Sequence, residues 1–116
     1  MTDELKSLIN QWCREYEIPI WRISCRFFKL HSLLGITSFS YYKFNEYPIA
    51  DIEIKEYLKD YPFAWHSIAW HEFCHAEPWV KYNIAQGHST AWVKRMLRKP
   101  WYIVGCVYAQ IICIGK

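Results

Sequence analysis

Apolar residues recur at Leu5, Leu8, Ile9, Trp12 and Tyr16, three or four positions apart, and so share one stripe of a helix. Thr2 is suited to cap it, with Asp3 and Glu4 in the first turn, where the helix dipole favours negative charge, and Pro19 closes it. From Ile20 the period falls to two. Trp21, Ile23, Cys25 and Phe27 alternate with Arg22, Ser24 and Arg26, which reads as a half-exposed strand. A second run, Ile36 to Phe44, follows Gly35 and is rich in Thr, Phe and Tyr. Its alternation is poor, which suits a bent or edge strand, and it can pair with the first. Ala50, Ile52 and Ile54, alternating with Asp51 and Glu53, signal a third short strand.

Asp60-Tyr61-Pro62 is a helix start, because Pro is tolerated in the first turn and Asp caps well. The segment that follows, Phe63 to Glu77, is apolar nearly all round, as a helix in the middle of a domain should be. Pro78 has no N–H for the carbonyl four residues back, so the helix is expected to stop there. A loop with Asn83 and Gly87 leads to an amphipathic stretch, Ser89 to Lys99, carrying Ala91, Trp92, Val93, Met96 and Leu97 and ended by Pro100. The last apolar run, Tyr102 to Ile114, fits a buried strand or a docked tail, and periodicity does not choose between them. Helix, two or three strands, buried helix and further helix make an α+β pattern with a short, mostly antiparallel sheet. The length suits one domain over residues 1–116.

Composition sharpens this. Of 116 residues, 53% are hydrophobic, and seven Trp, nine Tyr and six Phe exclude a disordered chain and supply large buried areas. The net charge of +3 is too mild to indicate a nucleic-acid binder by itself. Lys94, Arg95, Arg98 and Lys99 form the nearest thing to a basic cluster. Such a run is more often a solvated helix face than a phosphate contact, and cations are favourable near a helix C-terminus. The first residues lack the basic and apolar regions of a secretory signal, and the C-terminal apolar run is too short to span a bilayer. The five cysteines (13, 25, 74, 106, 113) include no C-x-x-C pair. Reduced thiols in a cytoplasmic protein without a membrane partner are the simplest reading.

The chemistry is concentrated in His71-Glu72-Phe73-Cys74-His75. On a helix, His71 and His75 lie on one face about a turn apart, so both imidazoles can reach one tetrahedral ion. Glu72 projects from the adjoining sector, where it can handle a water without ligating the metal. Cys74 points away and is excluded as a ligand. A catalytic zinc needs a third protein ligand and an open position. His88 is the candidate, thirteen residues on, beyond a loop that lets the chain reverse. Glu77 is the rival, two residues past His75 and facing elsewhere on the helix. Lys81 occupies the place where a shorter ligand spacing would need a third ligand. One Zn2+ per chain is expected. His31 and His66 read as hydrogen-bonded core histidines.

Ile68-Ala69-Trp70-His71-Glu72-Phe73-Cys74-His75-Ala76, then Gly87-His88 and Trp92, resemble the SprT-like zinc metallopeptidases, which include the Spartan proteases of DNA–protein crosslink repair. The likeness covers roughly residues 30–99. It implies a zincin-like domain in which His71, His75 and His88 are the ligands and Glu72 is the catalytic base. Ser89 stands where the family usually has Gly, and Cys106 and Cys113 cannot make the four-cysteine zinc ribbon that many members carry. The expected reaction is peptide hydrolysis, with Glu72 taking a proton from the attacking water and passing it to the leaving amine. Tyr82 and His66 are candidates for stabilising the oxyanion. A protein or peptide substrate could add to the edge of the Ile36–Phe44 strand, with Tyr41, Tyr42 and Phe44 along the groove. Two other readings stand beside this one: a DNA-associated protease or binding module, and a zinc protein without catalysis.

Overall fold

The computed structural model describes residues 3–43 and 46–116, so the Thr2 cap and the Phe44 end of the second strand lie outside the described residues. Helix α1 spans Glu4–Glu15 and buries Leu5, Ile9, Trp12 and Cys13, a stripe at helical spacing. It ends before Pro19, at Tyr16 and at Glu17, whose φ of 60° leaves the helical region. Trp21 lies in a 3₁₀ turn, Ile20–Arg22, and not in the strand that the alternation predicts.

Three strands follow: β1 (Ile23–Phe28), β2 (Gly35–Tyr42) and β3 (Tyr47–Lys55). Their order is β1-β3-β2, so β2 pairs with β3 and not with β1. β3 runs parallel to β1, matching Ile23 to Ala50, Cys25 to Ile52 and Phe27 to Ile54. It runs antiparallel to β2 over the longer pairing, matching Gly35 to Ile54, Thr37 to Ile52 and Phe39 to Ala50. The reason for this order lies in β3, whose Ala50, Ile52 and Ile54 are buried. The most buried strand takes the centre, and the poorly alternating β2 is left at an edge. The opposite face is polar, with Ser24 bonded to Asp51 and Arg26 paired to Glu53.

A 3₁₀ turn, Glu56–Asp60, leads to α2, Pro62–Tyr82, which lies across the sheet. Pro62 opens it as expected. Pro78 does not end it, and the helix runs one turn further to Asn83 in the left-handed conformation. Tertiary contacts hold that extra turn. The Trp79 indole donates to the carbonyls of Ser40 and Ile49, Arg22 donates to the Val80 carbonyl, and Lys81 donates to the Tyr16 carbonyl. These bonds outweigh the one helical bond that Pro78 cannot make.

Ser89 caps α3, Thr90–Met96, its hydroxyl accepting from the Trp92 N–H. The C-terminal apolar run is neither strand nor loose tail. It is a helix, α4, Trp101–Ile112, entered through Pro100 and packed along α2. Gly105 sets how closely the two helices approach. A Cβ there would lie 1.7 Å from Ser67 Oγ and 2.6 Å from Ser67 Cβ, and Ala109, one turn on, is fully buried. Among the described residues the architecture is α+β, four helices and a three-stranded sheet. Among the described residues no helix is long and apolar enough to cross a membrane.

Gly105→Ala is expected to force α4 off α2 and to cost about 2 kcal/mol or more, as overpacking does. A Tm fall on the order of 10 °C should report it in a thermal melt. Adding Ser67→Gly, which removes the atoms that the new methyl meets, should recover part of the loss. Unchanged Tm in Gly105→Ala would contradict the close approach.

Candidate metal centre and catalytic cleft

Between Ser67 and Pro78, α2 is buried at every position except His71 and His75. That strip faces the gap between β2 and α3, and both imidazoles project into it. The chain returns to the strip through the end of α2. Asn83, with φ 58°, turns the chain, and the N–H groups of Asn83 and Ile84 close back on the carbonyls of Trp79 and Pro78. Asn tolerates this conformation better than most residues. Residues 84–88 then run back to place His88 beside α2.

His88 Nε2 lies 3.2 Å from His71 Nε2, and one nitrogen from each of His71, His75 and His88 falls within 4.8 Å of the others. Two nitrogens on a tetrahedral zinc, each at about 2.0–2.1 Å, stand roughly 3.4 Å apart. His71 and His88 already stand near that separation, and His75 has a ring nitrogen within 4.8 Å of both. The three residues therefore fit a three-histidine metal site with a position left open. The His75 tautomer also suits it. Gln86 O lies 3.0 Å from His75 Nδ1, and a carbonyl can only accept, so Nδ1 carries the proton and Nε2 presents its lone pair. Arg95 bonds the Gln86 side chain and steadies the loop that supplies this carbonyl. Trp92 backs the centre, its ring 4.8 Å from that of His71 and 4.5 Å from that of His88, its indole N–H donating to the His71 carbonyl.

Burial, reinforced by repulsion from His75 and His88, pushes His71 down to about 4. Burial likewise lowers His75, against the hydrogen bond to Gln86. Both rings are thus neutral at pH 7, the form a metal requires.

Glu72 lies beside them, buried, with Oε2 3.9 Å from His71 Nε2. The Thr37 hydroxyl donates to Oε1 at 2.7 Å, which fixes the carboxylate and leaves Oε2 toward the histidines. Burial pushes the Glu72 carboxyl up to about 7, opposed by the Thr37 hydrogen bond. A dication on the imidazoles would draw it back toward the anionic range. Gly35 completes the setting, since a Cβ there would lie 2.6 Å from Ile68 and 3.1 Å from Glu72 Oε2. No sequence signal singles out Thr37, because a threonine in a strand has no marker of what it faces. Gly35 announces itself only as a residue before a strand.

These groups line an open cleft of about 390 Å³, whose far wall is the first half of β2 with Ile36, Thr37 and Phe39. Tyr41 and Tyr42 do not line it. Tyr41 packs on Trp79 and bonds Asn83, and Tyr42 packs on Trp21. Glu77 is not brought to the centre, being buried and paired with Arg98 at 2.6 Å. Cys74 is buried outside the cluster, and burial pushes its thiol up to about 12, far from the thiolate that binds metal. The other cysteines are also unpaired. His66 is half-buried and lines a separate hollow with Asp3, Glu4 and Ser7, so it is not placed to stabilise an oxyanion here. Tyr82 is 61% exposed at the end of α2 and is absent from the cleft lining. His31 is not a core residue. It is exposed, and its backbone carbonyl accepts from Lys55.

No protein-family model, curated protein or solved structure with which the chain was compared matches it.

His88→Ala is expected to weaken zinc binding by more than the roughly 10–100-fold that loss of a supporting partner costs. The Tm of the metal-free protein should hardly change, since His88 is exposed on a loop. Calorimetric zinc titration checks both, and wild-type affinity in the variant would remove His88 from the ligand set.

Proposed function

We propose that the protein is a zinc metallopeptidase, a metalloendopeptidase acting on accessible or unfolded polypeptide, with His71, His75 and His88 holding one Zn2+ and Glu72 as general base. The observation that carries this reading is the convergence of three imidazoles with a carboxylate oxygen 3.9 Å from one of them, in a cleft open to solvent. The resemblance to the SprT-like family points the same way. Zinc held there would supply Lewis acidity, acidifying water and polarising a peptide carbonyl.

The remaining work falls to the chain itself. Glu72 accepts the proton of the attacking water at Oε2, the oxygen that Thr37 leaves free, and returns it to the departing amine. Thr37 is a positioning residue, its single hydroxyl proton donated to the Glu72 carboxylate at 2.7 Å, with the Glu72 main-chain carbonyl a more distant alternative acceptor at 3.1 Å. The outer edge of β2 borders the cleft, so an extended segment can pair with it as an added strand and lay its backbone across Glu72. Five unpaired thiols favour a reducing, cytoplasmic setting.

A DNA-associated role of the Spartan kind has less support. Arg95 bonds Gln86, Arg98 pairs with Glu77, and Lys99 pairs with Glu15, so three cations of the basic run are engaged within the chain.

With an unfolded test protein as substrate, Glu72→Gln should retain zinc and thermal stability while losing about 10²–10⁴-fold in turnover, the usual worth of a general base. Equal hydrolysis by wild type and Glu72→Gln sinks the mechanism, and hydrolysis by neither leaves a non-catalytic zinc protein.

Thr37→Val should lower kcat by roughly tenfold, the equivalent of one hydrogen bond to a charged group, with zinc affinity unchanged. Thr37→Ser should restore it, and failure of that rescue would mean that Thr37 serves packing alone.

A further inference from the structure

The proposed catalytic cleft has a neighbour: Gly35, His71 and Glu72 also line a narrow space of about 170 Å³ that reaches Ile68, Cys106 and Gln110. This passage shares His71, Cys106 and Gln110 with a further hollow of about 360 Å³ between α3 and α4. Trp92, Val93 and Met96 form one wall of that hollow, and Ile103 and Val107 form the other. Apart from His71, no lining residue is ionisable near neutral pH, since burial raises the Cys106 thiol to about 12.

Resting on the peptidase reading above, we infer that this hollow is the substrate's side-chain pocket, receiving one large apolar residue next to the scissile bond. Three features select that occupant. His71, which lines both the cleft and the hollow, puts the hollow beside the proposed reaction centre, within a residue or so of a peptide bond lying across Glu72. The volume lies near the low end of the roughly 300–1,000 Å³ typical of ligand pockets, ample for a side chain as large as Leu, Met or Phe. Apart from His71 and the Gln110 amide the walls are apolar and carry no fixed charge, so Asp, Glu, Lys or Arg would lose hydration there with little compensation, whereas an apolar side chain gains from leaving water. Val107 and Val93 are 54% and 43% exposed, so they stand at the rim and can be enlarged without disturbing the core.

The pocket predicts a one-sided preference. Zinc-loaded full-length protein is incubated with a reduced, alkylated unfolded protein, and the cleavage sites are mapped by mass spectrometry. Leu, Ile, Met and Phe should be enriched several-fold at one position, always on the same side of the cut, over Asp, Glu, Lys and Gly. Val107→Phe should shift that position toward Ala and Ser while cleavage continues, and Val93→Phe should do the same from the other wall. Cleavage with no apolar enrichment, or with a preference that neither variant moves, overturns the pocket and leaves the peptidase reading standing. Absence of cleavage by wild type overturns the peptidase reading, and binding then tests the pocket alone. Methyl signals of Met96, Ile103 and Val107 should shift on titration with N-acetyl-leucinamide and not with the aspartate analogue. A lack of shift with the leucine compound, or equal shifts with both, overturns the pocket whatever the activity.

Discussion

A helix that is apolar on nearly every face cannot rest on a single neighbour, and α2 has the sheet on one flank, α4 along another, and α1 and α3 at the rest of its circumference. Trp70 and Phe73 stack on each other and pack against Trp12 of α1, which joins the N-terminal helix to the same core. Two close approaches to α2 are made where the neighbour has no side chain, at Gly35 from β2 and at Gly105 from α4. Between Ser67 and Pro78 this leaves one strip of α2 reachable by solvent, and that strip carries His71 and His75. Burial of the helix and definition of the site are one arrangement.

The same burial sets the electrostatics of the centre. Taking imidazoles out of water disfavours their charged form, and taking a carboxylate out of water does the same, so His71 is pushed down and Glu72 up. A cluster that prefers neutrality when empty is matched to an incoming cation, which stabilises the carboxylate and uses the free lone pairs of the rings. Thr37 supplies the one hydrogen bond that holds Glu72 in place, and it comes from the strand whose outer edge is open to an extended chain. The group that orients Glu72 and the open sheet edge beside the cleft therefore belong to one strand, β2.

Charge elsewhere holds the scaffold around this centre. Glu77, two residues beyond His75, is buried and paired with Arg98, and Lys99 reaches Glu15 of α1. Arg98 also lies over the rings of Tyr16 and Trp70, 4.0 Å and 5.1 Å from their centroids. A basic run that reads in sequence as a solvated face thus clamps the segment after α3 to α1 and α2, and with it the loop carrying His88.

The periodic stretches were legible from residues alone: the α1 stripe, the alternation in β1 and β3, the buried helix from Pro62, and the H-E-x-x-H strip with His88 after a reversing loop. Each is a local property, since period and spacing along the chain dictate which side chains share a face. Pairing and termination were not legible, because both depend on partners distant in sequence. The apolar run from Tyr102 becomes a helix because Gly105 and Ala109 let it lie against α2, and its composition alone does not carry that information. Pro78 stays inside α2 because Ser40, Ile49 and Arg22 hold the turn beyond it, against a rule that considers only the helix's own bonds. The strand order follows from which strand is buried on α2, and Thr37 and Gly35 gain their meaning only when β2 is laid beside Glu72. Sequence by itself determined the chemical groups and the helix that displays them, because helical spacing is short-range. Tertiary structure decided what orients Glu72, where the cleft opens and what walls it, because those contacts join residues tens of positions apart.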